Sequence, residues 1–260
     1  IRRPPRSTPS NSSAASDVYK RQPLLEVNTI KLRVGSPKID QALEGGLCRG
    51  ELTLIYGEPG AGKTSLALQI ALRSCLQNLR VLYLYSDGLF PYPKLEILMS
   101  KLGLSLENDI PLHVLHINYF DEMEQVIREL ELGFYKEYDV LIFDTFTGPY
   151  RSIQVERRHE VIKHNKKLNQ LTAILKNYAA TLGKYIILTS RLKSPTISGE
   201  SLFDEPIASN VLTYWSDNII SIIKLDLPFR RKIVVLKIHG SEVNIEIQAH
   251  VIDGYLEEVD

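Results

Sequence analysis

The sequence predicts an α/β fold: a mostly parallel sheet flanked by helices on both faces, with a C-terminal antiparallel β extension. Two patterns and one motif carry that expectation. Strand-length runs that are apolar almost throughout alternate with longer helical patterns between residues 51 and 190, the composition of strands buried on both faces. The stretch GEPGAGKTS, residues 57–65, joins one such run to one such helical pattern. From Ser216 onward the helical period disappears, and three β-rich runs follow one another across short polar turns.

In chain order, the predicted strands are 51–57 (ELTLIYG), 80–86 (RVLYLYS), 112–118 (LHVLHIN), 138–145 (YDVLIFDT) and 184–190 (KYIILTS). Between them, apolar residues recur at helical spacing over about 63–77, 94–103, 121–136 and 155–182, the last being the longest periodic segment. The runs DNIISIIKL, KIVVLKIHG and VNIEIQAHV then predict the antiparallel extension at one edge of the sheet.

Residues 1–22, IRRPPRSTPSNSSAASDVYKRQ, are different in kind. Arg, Pro and Ser dominate, apolar periodicity is missing, and such a segment cannot bury enough surface to order itself. It resembles the translated read-through of a sequencing adapter, so fold and function are assigned to residues 23–260. Of the 31 basic and 31 acidic side chains, five and one fall in this segment, leaving 26 and 30 and a net charge of −4. Any nucleic-acid binding must therefore come from a local patch. With 44% hydrophobic residues, the 260-residue chain can bury one sizeable core. Cys48 and Cys75 suggest neither a disulfide framework nor a zinc site and read as packing residues in a reducing compartment. No apolar run reaches about eighteen residues, so no membrane span and a cytoplasmic location are expected.

The motif supplies the chemistry. Gly57, Gly60, Gly62, Lys63 and Thr64 match G-x-x-x-x-G-K-[ST], in which glycines let backbone N–H groups face phosphates. Residues Gly57, Glu58, Pro59, Gly60, Ala61, Gly62, Lys63, Thr64 and Ser65 form the expected phosphate cradle, with Lys63 reaching the β- and γ-phosphates and Thr64 offering its hydroxyl to Mg²⁺. The helix that follows presents an N-terminus favourable to anions. Asp144, at the end of YDVLIFDT, sits where an α/β sheet places its ligand contacts and is expected to hold the same Mg²⁺.

The stretch KLRVGSPKIDQALEGGLCRGELTLIYGEPGAGKTSLALQIA resembles the opening of RecA-superfamily ATPases, where G-x-x-x-[IL]-D-x-x-L-x-G-G-[IL]-x-x-G-E leads into the P-loop. Gly35, Ile39, Asp40, Leu43, Gly45, Gly46, Leu47, Gly50 and Glu51 fill those positions. Within the superfamily the chain is most similar to the archaeal RadB branch, which consists of the core ATPase domain alone, and the similarity extends through VLYLYSDG, VLIFDT, VLTYWSDNI and KIVVLKIHG. The resemblance implies a RecA-like P-loop NTPase core over residues 23–260, ATP and Mg²⁺ as cofactors, and a role in homologous recombination and DNA repair. It implies DNA as one partner and either a recombinase or further copies of the chain as another.

In such proteins the loops after the Mg²⁺-holding Asp and after the next strand face DNA. They correspond to residues 146–159 and 192–210. Tyr150, Arg151, Arg157 and Arg158 are the DNA-binding candidates, followed by Lys163, Lys166 and Lys167; guanidinium and ammonium groups neutralise phosphates and Tyr150 can stack on a base. Glu156 and Glu160 interleave these charges, as they would on a solvated helix face. Glu200, Asp204 and Glu205 make the second loop less suited to phosphate.

The departures from the family pattern lie at catalytic positions. Asp87 stands where relatives carry a water-positioning Glu, and Tyr85 replaces an Asp. An Asp is a competent base but one methylene shorter, and reach precedes pKa in general-base catalysis; as part of Asp87-Gly88 it can also serve a turn. Ser190-Arg191 replaces the Asn-Gln pair that senses the γ-phosphate. Arg191 can stabilise phosphate charge or form a salt bridge with Asp144 or Asp87. Lys237 and His239 match a basic pair that in such ATPases lies near a neighbouring subunit's γ-phosphate, although an edge-strand lysine also discourages aggregation. The functional expectation is a slow, DNA-stimulated ATPase acting as a recombination accessory. A nucleotide-gated binding module with little hydrolysis and a KaiC-like regulatory ATPase, which shares the GG-x-x-x-GEL approach to the P-loop, are the alternatives.

Overall fold

The computed structural model of the chain describes residues 31–105, 110–150, 161–192 and 207–259. The five expected strands are β1 (Leu52–Gly57), β2 (Val81–Tyr85), β3 (Leu112–His116), β4 (Val140–Asp144) and β5 (Tyr185–Arg191). Four further strands follow, β6 (Asn218–Lys224), β7 (Arg230–Ile238), β8 (Ser241–Ile252) and β9 (Tyr255–Glu258). The helices are α1 (Pro37–Ala42), α2 (Lys63–Leu76), α3 (Tyr92–Lys101), α4 (Phe120–Glu131), α5 (Val161–Leu182) and α6 (Ser209–Trp215). One sheet holds all nine described strands in the order β3-β2-β4-β5-β1-β6-β7-β8-β9.

Alternation along each central strand divides the core into two layers. Ile55, Tyr83, Ile142 and Ile187 face one side, where they meet Leu66 and Ile70 of α2 and Leu95 of α3. Leu54, Leu84, Phe143 and Leu188 face the other, against Met123 and Ile127 of α4, Leu171 and Leu175 of α5, and Leu212 of α6. Strands covered on both faces have no polar side to present, which is why β1, β2 and β4 read as unbroken apolar runs. β3 lies at the sheet edge and keeps exposed positions.

The C-terminal part differs from the expectation in two respects. β6 pairs in parallel with β1 on one side and antiparallel with β7 on the other, so it completes the parallel sheet and the antiparallel extension begins only at β7. Its first five residues are buried, as befits a strand enclosed between two others. The extension also contains a further strand, β9, whose four residues YLEE are too few and too polar to signal a strand by composition. α4 stops at Glu131 because Gly133, at φ +91°, turns the chain out of the helix.

β9 is fastened to the start of the fold. Ser36, which precedes α1, makes no side-chain cap to its own helix. Oε1 of Glu258 instead accepts hydrogen bonds from the Ser36 hydroxyl, the Lys38 amide and the Ile39 amide. Lys38 Nζ donates to the Val259 carbonyl at 2.6 Å. A carboxylate brought in from 220 residues away thus performs the duty of an N-cap. Glu258→Ala is expected to lower stability by about 1–2 kcal/mol, read as a fall in the urea midpoint without change in slope.

Candidate nucleotide-binding site

β1 delivers the chain into the loop at Gly57, which lies in register with Arg191 of β5 and Ile222 of β6. A β-carbon at Gly57 would sit 2.2 Å from the Ile222 carbonyl oxygen, so the close approach of two strands requires glycine. Gly62, at φ +119°, turns the chain into α2, and a β-carbon there would lie 3.2 Å from Val251 of β8. Asp87 follows β2, Asp144 ends β4 and Arg191 ends β5, so all of them share the C-terminal edge of the parallel strands with the loop.

Lys63 is buried, and its ammonium donates to the carbonyls of Gly57 at 2.9 Å and Glu58 at 2.8 Å. Burial pulls its pKa down to about 8, against the opposing attraction of Asp144. Ser65, two positions on, is 1% exposed and its hydroxyl has no hydrogen-bond partner among the described residues. Buried polar groups rarely stay unpaired, and an acceptor at the start of α2 would satisfy this one. Asp144 is also buried: Oδ1 accepts from Thr189 at 2.6 Å and Oδ2 from the Tyr83 hydroxyl at 2.8 Å. Those two bonds fix the carboxylate in one orientation. Thr64 and Asp144 offer the hard oxygen donors that Mg²⁺ prefers, and their setting fits an ion that keeps most of its water.

Two cations at this site escaped the sequence reading. Arg231 of β7 is buried behind the loop, where Nε donates to the Ala61 carbonyl at 2.8 Å and Nη2 to the Gly60 carbonyl at 3.2 Å. Its Nη1 holds the Pro228 and Arg230 carbonyls at 2.7 Å, so one guanidinium ties the loop to the β6–β7 turn. Lys224, at the end of β6, places Nζ 3.4 Å from where a β-carbon on Gly60 would be.

Asp87 and Arg191 form an ion pair in which Nη2 of Arg191 donates to both carboxylate oxygens. Of the roles open to Arg191, the geometry selects the bridge to Asp87. Tyr85 supports the same turn by donating its hydroxyl to the Asp87 carbonyl at 2.8 Å. Ser190, next to Arg191, shares a hydrogen bond of 3.1 Å with Thr147, and the Phe146 amide donates to the Thr189 carbonyl at 2.9 Å. The end of β5 is thereby joined to the segment after Asp144.

The remaining candidates are distributed differently. Tyr150 is 1% exposed, packs beside Phe120 and donates its hydroxyl to Asn165 of α5. The expectation that it stacks on a base is corrected, because neither ring face is open to solvent. Arg151, Arg157 and Arg158 lie outside the described residues. Lys163 and Lys166 are exposed on α5, whereas Lys167 bridges to Glu124 and Asp121 of α4. Lys237 pairs with Ile219 at the start of β6, at the opposite edge of the sheet from the loop, and donates to the Thr213 carbonyl at 3.2 Å. It cannot reach its own chain's nucleotide site.

Two outcomes follow from this geometry. Bound phosphates favour the charged form of Lys63, so nucleotide binding near and above pH 8 takes up a proton, and affinity is expected to fall with rising pH there, approaching about tenfold per pH unit. Calorimetry in buffers of different ionisation enthalpy reads the uptake, which Lys63→Ala should abolish together with binding. Arg231→Met is expected to weaken nucleotide affinity roughly tenfold by releasing two loop carbonyls, with Arg231→Lys failing to restore it because an ammonium lacks the planar fork.

Comparison with known proteins places this geometry in a family. The Rad51 family model matches residues 25–249. The chain is 31% identical over 188 residues to the DNA repair and recombination protein RadB of Methanosphaera stadtmanae, covering 72% of this chain and 78% of that one. It is 27% identical over 214 residues to the RadB protein of Pyrococcus furiosus, covering 82% and 88%. A crystal structure of the RadB recombinase shares the fold with a TM-score of 0.71 at 24% identity, over 88% of this chain and 100% of that one. With a matching family model that runs from before α1 into β8, over most of the chain, this protein belongs to the Rad51 family.

Proposed function

We propose that the chain is an ATP-binding accessory of homologous recombination and DNA repair that hydrolyses ATP slowly and faster in the presence of DNA. The RadB names of its relatives support the setting, and the P-loop with Lys63, Thr64 and Asp144 supports nucleotide and Mg²⁺ binding. The observation that carries the kinetic part is the Asp87–Arg191 pair. Both oxygens of Asp87, the carboxylate at the water-positioning place, accept from one guanidinium, which competes with an attacking water for that carboxylate and slows hydrolysis until the pair opens.

The chemistry assigned to the chain is then as follows. The loop N–H groups and Lys63 bind and orient the phosphates, and Thr64 with Asp144 holds the metal that neutralises charge building up on them. Asp87, once released, orients the attacking water and accepts its proton. Arg191, once released, is free to stabilise charge on the transferring group. Opening is within reach of the loops assigned to DNA. Arg191 directly precedes Leu192, where the second loop begins, and Ser190 is bonded to Thr147 in the first. DNA that shifts either loop therefore acts on the pair.

The same ion pair favours a second reading, a nucleotide-gated binding module in which ATP is held and rarely cleaved. Steady-state phosphate release with and without single-stranded DNA separates the two. The proposed function expects a low basal rate raised several-fold by DNA, loss of that rate in Asp87→Ala, and a smaller DNA effect in Arg191→Ala. A full rate in Asp87→Ala would remove Asp87 from the chemistry, and a rate indifferent to DNA would favour a regulatory ATPase of the KaiC kind.

A further inference from the structure

We propose that Cys48, Glu51 and His239 form a binding site for a transition-metal ion of the Zn²⁺ class, at the edge of the sheet opposite the nucleotide loop. Cys48 and Glu51 lie in the short segment leading into β1, and His239 lies in the turn between β7 and β8. The strand pairings bring together residues 188 positions apart: one thiol sulfur, one carboxylate oxygen and one imidazole nitrogen lie within 4.8 Å of one another. All three residues are half-buried, accessible to an ion while shielded from bulk water.

The surroundings hold two of the three donors in place. Asn218, fully buried at the start of β6, donates from Nδ2 to Glu51 Oε2 at 2.8 Å and accepts the His239 amide on Oδ1 at 3.1 Å. That leaves Glu51 Oε1 facing His239 Nδ1 at 2.6 Å. Supporting hydrogen bonds that aim ligands are a regular part of metal sites. His239 itself has φ +48°, a conformation uncommon for histidine, and the turn is pinned by the Gly240 amide on the Asp217 carbonyl at 2.9 Å.

The donor chemistry selects the ion. A thiolate, an imidazole and a carboxylate suit Zn²⁺, whereas Mg²⁺ and Ca²⁺ prefer oxygen alone. Three protein ligands leave a fourth tetrahedral position for water, with the Glu44 carboxylate 3.7 Å from His239 Nε2 on the near side. Binding displaces the Cys48 thiol proton and takes the lone pair of His239 Nδ1, whose proton moves to Nε2 on the Glu44 side. The occupied site clasps the approach to β1 onto the β7–β8 turn, independently of the P-loop.

The test uses the full chain after dialysis against a chelator, titrated with Co²⁺ as an optical probe and then with Zn²⁺ in competition. One equivalent of Co²⁺ should give a thiolate-to-metal charge-transfer band that Zn²⁺ abolishes. Cys48→Ser should lose the band while keeping its circular dichroism and ATP binding, and Cys75→Ala should retain it. His239→Asn, which tolerates positive φ, should weaken Zn²⁺ affinity at least tenfold, and Asn218→Ala roughly tenfold to a hundredfold. A wild-type chain without the band, or a band of equal strength in Cys48→Ser, overturns the proposal.

Discussion

A loop that turns its N–H groups toward an anion turns its carbonyl oxygens the other way, and where that side is buried each of them needs a donor. Two long cations divide this task. Lys63 takes the Gly57 and Glu58 carbonyls from within the loop, and Arg231 takes Gly60 and Ala61 from behind it. Arg231 is in place only because β7 runs antiparallel beside β6, and β6 lies against β1. The C-terminal extension is therefore part of the P-loop's foundation. Val251 and Leu256 complete it by packing on Gly62, while Gln69 of α2 exchanges hydrogen bonds with the Leu256 backbone. In the proposed function, phosphates entering the loop draw Lys63 away from its carbonyl partners, while Arg231 still holds Gly60 and Ala61.

Along the same edge, charge is arranged as a chain of partners. Asp144 is fixed by two hydroxyls, whereas the Asp87 and Arg191 side chains, among the described residues, hold each other and stand partly in solvent. Exposed ion pairs contribute little net stability and exchange partners readily. The rigid carboxylate is thus the one suited to an ion that must be held in fixed geometry, and the loosely held one is suited to a switch.

What the sequence made legible was local. The P-loop and Asp144 could be read because each motif is contiguous and its flanking strand is buried on both faces. Arg231 could not, because its partners lie 170 residues away and an Arg-Arg-Lys run after a turn reads as a solvated surface. The direction of β6 was equally hidden, since composition reports burial and says nothing of which neighbour runs parallel. Tyr150 was misread for a related reason. An aromatic ring beside arginines looks like a stacking platform, but its ring fills the space beside Phe120 and its hydroxyl finds Asn165. Cys48 looked like a packing residue until the fold placed Glu51 and His239 beside it.

Lys237 lies level with Leu54 of β1, toward the strand ends away from the P-loop, and this gives the molecule a front and a back. Two copies stacked front to back leave one front and one back unmatched, and the contact between them is heterologous. Repeated, that front-to-back contact closes as a ring or grows as an open polymer. In an open polymer the terminal copy always has one unmatched face. Any activity that needs both faces would then rise with polymer length as well as with protein concentration, and a capping copy with an altered back would arrest it without touching a single residue of the P-loop.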